Sequence, residues 1–399
     1  MMPPVGLSEP VVQAVPRTLV LSERFLPIEG GAVTWLANTY TRYRSSDVSF
    51  LVGRYPGDGD VDRRMGCHVE RMRMGFCDWD PCDPKSFGSY ARLMWRLHRA
   101  CQRQTVEQIH CAKVLPEGLA ALCVGAWLRI PFLVYAHGEE ISICNTSRKL
   151  AWLAPRVYNQ AAAIIANSRN TKGLLTEIGV LPEKIHVISP GVDPSTFQGG
   201  HHGGRVIRDR YKLGTSPVLL TVGRLQRRKG QDMVIRALPG IRRRTPGTVY
   251  VIVGAGEEER YLRELASDAG VQDHVVFVGT ASADELPAYY AACDVFVMPS
   301  RQIGPDIEGF GIVYLEAGAA GKAVIGGRSG GTGEAIVDGV TGLRVDGNNL
   351  QEIESAVARL LSNPQEAGEM GENGRSRAEA EFGWDSIAQR TKNLSASLR

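Results

Sequence analysis

In the stretch EGFGIVYLEA, Glu308 and Glu316 stand eight positions apart, and Gly309, Phe310 and Gly311 follow the first of them. A helix that only fills a core has no use for acid on both sides of a glycine turn. If the helix begins near Gly311, the glycines let the backbone bend so that its free N–H groups face an anionic ligand, phosphate rather than carboxylate. Glu308 then lies before the helix and Glu316 more than a turn inside it. The two acids either serve opposite ends of one ligand or merely cap and solvate the helix.

Cations suited to the same ligand occur in VGRLQRRKGQD, where Arg224 and Lys229 stand five apart beside Gly223 and Gly230. Such a pair fits a diphosphate, the guanidinium gripping two oxygens and the ammonium acting as a point charge. Arg227 and Arg228 read as solvated. His137, in PFLVYAHGEE, leaves an imidazole at a strand end, and Gly30 and Gly31 directly precede a helix in FLPIEGGAVTWL. Paired glycines there bare backbone N–H groups and the positive end of a helix to an anion. Gly254 and Gly256 follow another strand, but Glu259 takes the third position of GxGxxG. That weakens a nicotinamide-dehydrogenase reading and makes the two glycines places where the chain passes close to a nucleotide.

Metal candidates are weak. Asp78 and Asp80 of DWD sit in a Pro- and Cys-rich loop with no strand ahead of them, and DGDVD (58–62) has Arg63 and Val69 where a calcium loop needs Gly and Glu. Cys77, Cys82 and His68 lack the paired spacing of zinc ligands. The eight cysteines include no CxxC pair, which suits reduced thiols in a cytoplasmic protein.

These residues need elements to hold them just beyond strand ends. Short β-branched runs (TLVLS, VSFLV, PFLVYAH, AIIANS, KIHVIS) alternate with helical patterns. A second series (VLLTVG, VYVIVG, HVVFVG, DVFVMPS, KAVIGG) consists of near-continuous apolar strands. The alternation predicts an α/β protein of two doubly wound, Rossmann-like domains facing each other across a cleft, with ligands beyond the carboxyl ends of the strands. The expected limits are an N-terminal extension (1–16), a first domain (17–195), a linker containing GGHHGG (196–207), a second domain (208–375) and a terminal helix crossing back (376–399). The 399 residues suit two domains, 45 glycines imply many close turns, and a net charge of +3 gives no case for nucleic acid. No signal peptide is visible, and the longest apolar run (121–136) is short and broken by Arg129 and Pro131. In SYARLMWRLHRACQR, Arg92, Arg96, Arg99 and Arg103 share a helical face. It is either a solvated face or a contact for anionic lipid headgroups.

Taken in order, PIEGG, ISPGVD, VGRL…KG and MPSRQIGPDIEGFGIVYLEAGAAGKAVIGGRSGGTGEAI resemble the retaining glycosyltransferases of the GT-B fold, family 4, also called glycosyl transferases group 1. The resemblance covers nearly the whole chain and is most specific for the donor. It implies transfer of a hexosyl group from GDP-mannose, UDP-glucose or UDP-N-acetylglucosamine to a hydroxyl of a lipid, saccharide or small molecule, without a metal or other cofactor. It also implies roles: Arg224, Lys229 and the amides of Gly311, Ile312 and Val313 on the diphosphate, Glu308 on the sugar, Glu316 on both ribose hydroxyls, His137 under the sugar, and Gly30 and Gly31 closing on phosphate. Asn167, Ser168, Arg169 and residues 189–193 would line the cleft and hinge. HGEEIS departs from some relatives around the histidine. A nucleotide-sugar epimerase and a non-catalytic sugar-nucleotide-binding protein are the alternatives. The expected location is the cytoplasm, with peripheral contact at the inner membrane face if the basic helix docks.

Overall fold

β-Branched and aromatic runs too apolar to expose either face must lie inside a parallel sheet with helices on both sides. The computed structural model, which describes residues 15–75, 79–81, 83–144, 147–198 and 201–398, contains two such sheets. Most of the N-terminal extension, together with Cys77, Asp78 and Cys82, lies outside the described residues.

The first sheet comprises β1 (Thr18–Ser22), β2 (Val48–Gly53), β3 (His68–Met72), β4 (Gln108–Cys111), β5 (Phe132–Ala136), β6 (Ala163–Ala166) and β7 (Ile185–Val187). Their order is β3-β2-β1-β4-β5-β6-β7, and every pairing is parallel. The second comprises β8 (Val218–Val222), β9 (Val249–Val253), β10 (Val275–Gly279), β11 (Val295–Met298), β12 (Ala323–Gly327) and β13 (Gly342–Val345). It runs β10-β9-β8-β11-β12-β13, again parallel throughout. Both sheets reverse direction of winding beside their first strand, at β1/β4 and β8/β11, where crevices open past the strand ends. The two Rossmann-like halves of the expected fold are present.

One local expectation meets a different outcome. The glycine-rich segment after Gln198 is largely the helix His201–Arg210. Its glycines serve packing: a Cβ at Gly203 would come within 2.9 Å of the Ala288 Cβ, and one at Gly204 within 3.0 Å of the Ala291 backbone, so this helix lies close on Leu286–Ala292. The acid-rich DGDVD run opens the helix Asp58–Met65, and its Asp62 pairs with Arg71 at 2.6 Å.

The helix Trp384–Ser397 returns to the first sheet. Trp384 and Ile387 are buried with Val20, Tyr135 and Ile188, while Gln108 of β4 donates to the Ser395 carbonyl at 2.8 Å. Where the chain crosses, Val192 N–H donates to the Phe382 carbonyl at 2.8 Å. Among the described residues, no helix is long and apolar enough to cross a membrane.

Candidate active site

On the first wall, His137 follows β5 directly. Its Nε2 is 2.8 Å from the Ala112 carbonyl, which can only accept, so Nε2 carries the proton. Burial holds the imidazole below its ordinary value, against the opposing pull of Glu140, and the neutral ring is left with Nδ1 as an acceptor. Its backbone N–H donates to Glu140 Oε1 at 2.7 Å, and the Trp35 ring stands edge-on at 5.5 Å. Gly30, with φ 150°, precedes the uncapped helix Gly31–Tyr40, and a Cβ on Gly31 would lie 3.6 Å from Ile312 Cδ1 of the opposite wall. Two helix starts therefore meet across the cleft.

On the second wall, the loop after β8 turns through a short 3-10 segment, Arg227–Lys229. Three residues per turn send its three basic side chains in three directions. Arg227 goes outward, over the Tyr261 ring at 4.0 Å and onto Glu258 at 2.5 Å. Arg228 and Lys229 go inward and meet the same atom, Glu308 Oε2, at 2.6 and 2.5 Å. Arg228, read from sequence as solvated, is 5% exposed and also lies 2.8 Å from Asp306. Burial alone would raise the Glu308 carboxyl, but Lys229 and Arg228 overrule it and hold the group at about 2. Burial also pulls Lys229 below the usual lysine range. Arg224 is half-exposed and faces Glu139 of the first half at 4.0 Å. Gly223 leaves open space beside Lys229 and Met298, each 3.9 Å from where a Cβ would stand.

Past Glu308 the chain is squeezed between the two halves. A Cβ at Gly309 would overlap the His137 carbonyl oxygen and come within 2.7 Å of Asn167 Nδ2. Gly311 has φ 89°, and the Tyr314 ring fills the place of its missing side chain. The helix Ile312–Ala319 that it starts has no side-chain cap, which leaves the Ile312 and Val313 amides to a ligand. Phe310, by contrast, is 2% exposed and packs on Phe382 at 6.1 Å, so its side chain belongs to the core. Glu316 accepts a 2.6 Å hydrogen bond from the Tyr290 hydroxyl, and burial raises its carboxyl while that bond lowers it. Glu334 Oε1 accepts from Arg169 N–H at 2.7 Å, a second link between the halves.

Gly254 and Gly256 have a different reason to be glycine from the one expected. A Cβ at the first would overlap the Gly223 carbonyl oxygen and at the second would come within 2.5 Å of the Leu225 carbonyl oxygen, so what they admit is the neighbouring loop. Asp80, the described acid of DWD, pairs with Lys149 at 2.9 Å. Arg228, Asp306 and Tyr290 were missed from sequence. Asp306 had a signal: residues two apart on extended chain share a side, which sets it beside Glu308.

The profile described as "Glycosyltransferase Family 4" matches residues 29–196 and that of "Glycosyl transferases group 1" matches 205–377. A GDP-mannose-dependent alpha-(1-6)-phosphatidylinositol monomannoside mannosyltransferase of Mycobacterium tuberculosis H37Rv is 46% identical over 297 residues, 73% of this chain and 76% of that protein. The chain belongs to glycosyltransferase family 4. The enzyme of the same description from Mycolicibacterium smegmatis is 43% identical to this glycosyltransferase over 66% of this chain and 69% of its own. Among solved structures, Anabaena HepE in complex with UDP superposes with a TM-score of 0.81 at 21% identity, covering 96% of this chain and all of that one. The glycosyltransferase thus has the GT-B architecture.

Proposed function

We propose that this glycosyltransferase moves a mannosyl group from GDP-mannose to a hydroxyl of an inositol-bearing phospholipid, with retention and without a metal. The observation that carries the reading is the 43–46% identity, over about two thirds or more of both chains, to mannosyltransferases whose donor is GDP-mannose and whose acceptor is a phosphatidylinositol mannoside. A lipid acceptor is also supported by the outer surface of the first half. Trp95, Trp127 and Trp152 are 53%, 82% and 59% exposed, with Arg96 and Arg99 each 5.4 Å from the Trp95 ring and Arg156 3.9 Å from that of Trp152. Exposed tryptophan beside arginine suits an anionic headgroup layer.

The chemistry follows from charge. As the bond from the anomeric carbon to the β-phosphate oxygen breaks, negative charge grows on the departing diphosphate. Arg224, Lys229 and the Gly311, Ile312 and Val313 amides are fixed in advance to receive it. The acceptor oxygen forms its bond on the same face, and its proton passes to the departing phosphate oxygen, giving an α-glycoside and GDP. Glu308, kept ionised by two cations, accepts from sugar hydroxyls, and neutral His137 offers Nδ1 beneath the sugar. Glu316 accepts from the ribose hydroxyls.

A water-soluble inositol phosphate is the second reading of the acceptor, favoured by 35% identity to a D-inositol 3-phosphate glycosyltransferase of Pseudarthrobacter chlorophenolicus, which covers 58% of this chain and 55% of that one. The test offers GDP-mannose, UDP-glucose or UDP-N-acetylglucosamine with vesicles of phosphatidylinositol, vesicles of phosphatidylinositol monomannoside, or inositol 3-phosphate, each with and without chelator. Expected is an α-mannosylated lipid from GDP-mannose alone, at the same rate in chelator. Product from a UDP-sugar replaces the donor, product from inositol 3-phosphate replaces the acceptor, and activity restored by magnesium overturns metal independence. Epimerised donor or unchanged donor in every mixture overturns the transferase reading.

A further inference from the structure

We infer that Tyr290 is a positioning residue for the donor's ribose, acting through Glu316. The inference rests on the reading of Glu316 as the ribose carboxylate and goes beyond it. The last torsion of a glutamate side chain is broad, so a carboxylate meant for two adjacent hydroxyls needs something to fix its plane. Glu308 has two cations for that purpose. Glu316 has no ion-pair partner among the described residues, and its Oε2 accepts a 2.6 Å bond from the Tyr290 hydroxyl.

That donor cannot move far. Tyr290 is wholly buried on the helix Leu286–Ala292, with its ring 5.8 Å from Phe296 and edge-on to Phe197 at 5.4 Å. The end of the helix is held in turn, because Lys322 Nζ donates to the Ala291 and Cys293 carbonyls at 3.2 and 2.7 Å. A phenol fixed by packing thus holds one carboxylate oxygen. The other oxygen, and the second lone pair of Oε2, are left for the two hydroxyls of a ribose.

The test measures GDP and 2′-deoxy-GDP affinity by calorimetry, donor KM and kcat, and melting temperature. The variants are Tyr290→Phe, Glu316→Gln and both together. Tyr290→Phe is expected to raise the Kd of GDP and the donor KM by about ten-fold, as expected for one charge-assisted hydrogen bond, with kcat changed by less than about two-fold. The rise should be smaller for 2′-deoxy-GDP. Added to Glu316→Gln, the Tyr290→Phe change should cost nothing more. An unchanged Kd in Tyr290→Phe, with a raised Kd in Glu316→Gln, overturns the inference and leaves the ribose reading standing. A Tyr290→Phe rise in Kd that persists in full on top of Glu316→Gln assigns the effect to packing and also overturns it. An unchanged Kd in Glu316→Gln removes the ribose reading itself.

Discussion

Lys229 and Arg228 converge on one oxygen of Glu308, whereas Arg224 stands half-exposed, and Arg224 and Lys229 should fail differently when removed. Arg224→Ala is expected to lower turnover by about 10² to 10³, the size typical of losing one preorganised charge, with the melting temperature unchanged. Lys229→Ala should show the same loss and also melt lower, because it strips a buried carboxylate of one partner. Steady-state kinetics beside thermal melts separates the two. A different buried acid makes the pH prediction. Glu117, 1% exposed, takes the Glu23 N–H on Oε1 at 2.8 Å, and burial pushes its carboxyl up to about 7, opposed by that bond. A folded value above the unfolded 4.5 stabilises the protein fully below 4.5, and this is lost as pH rises through about 7. Glu117→Gln, which mimics the protonated acid, should therefore raise stability at pH 8 by up to roughly 3 kcal/mol and change little at pH 4.5, measured by denaturant unfolding. At this scale the sequence was legible where charge and glycine coincide, as at Glu308, Lys229 and Gly311. It misread Arg228 as solvated, since nothing in QRRK says which arginine the tight turn faces inward.

Elements explain why the glycines past Glu308 are not interchangeable. Gly311 needs its left-handed backbone, but Gly309 needs only emptiness, because the His137 carbonyl and Asn167 amide of the other half occupy the space of a side chain. Gly309→Ala is expected to push the walls apart and cut kcat by at least about ten-fold, while the isolated donor wall, read by GDP affinity, changes much less. An equal loss in affinity would mean that the residue acts within its own half. The helix Pro84–Gln104 supplies another prediction. Arg99→Ala with Trp95→Ala should reduce co-sedimentation with anionic vesicles several-fold, and high salt should reduce it for the unaltered protein as well. No binding at low salt returns this face to plain solvation. Strands of apolar residues such as VLLTV and AVIGG were readable from composition. β4 was not, because Gln108 and His110 look like loop residues. They are buried in a central strand because Ser395, arriving from a distant helix, satisfies Gln108, while His110 bonds to the Tyr40 hydroxyl and Gln108.

At the scale of the whole molecule, the returning helix makes the first core depend on the far end of the other half. Trp384→Ala should cost about 3 to 5 kcal/mol, the usual cost of emptying a large buried site. Hydrogen exchange should quicken in β1 and β4 more than in β8 and β11, although the substituted residue follows the second sheet in sequence. Faster exchange confined to the second sheet would refute the dependence. The same arrangement bears on synthesis. Ser395 is made 287 residues after Gln108, so at about 5 to 20 residues per second the seam beneath the helix stays open for roughly 15 to 60 s after its strands have left the ribosome. During that interval Val20, and Tyr135 and Ile188 once they are made, lack the Trp384 and Ile387 side chains that cover them in the finished protein. The half translated first is thus the half completed last, and a nascent chain stalled before Trp384 should be held by hydrophobic-binding chaperones until the helix arrives.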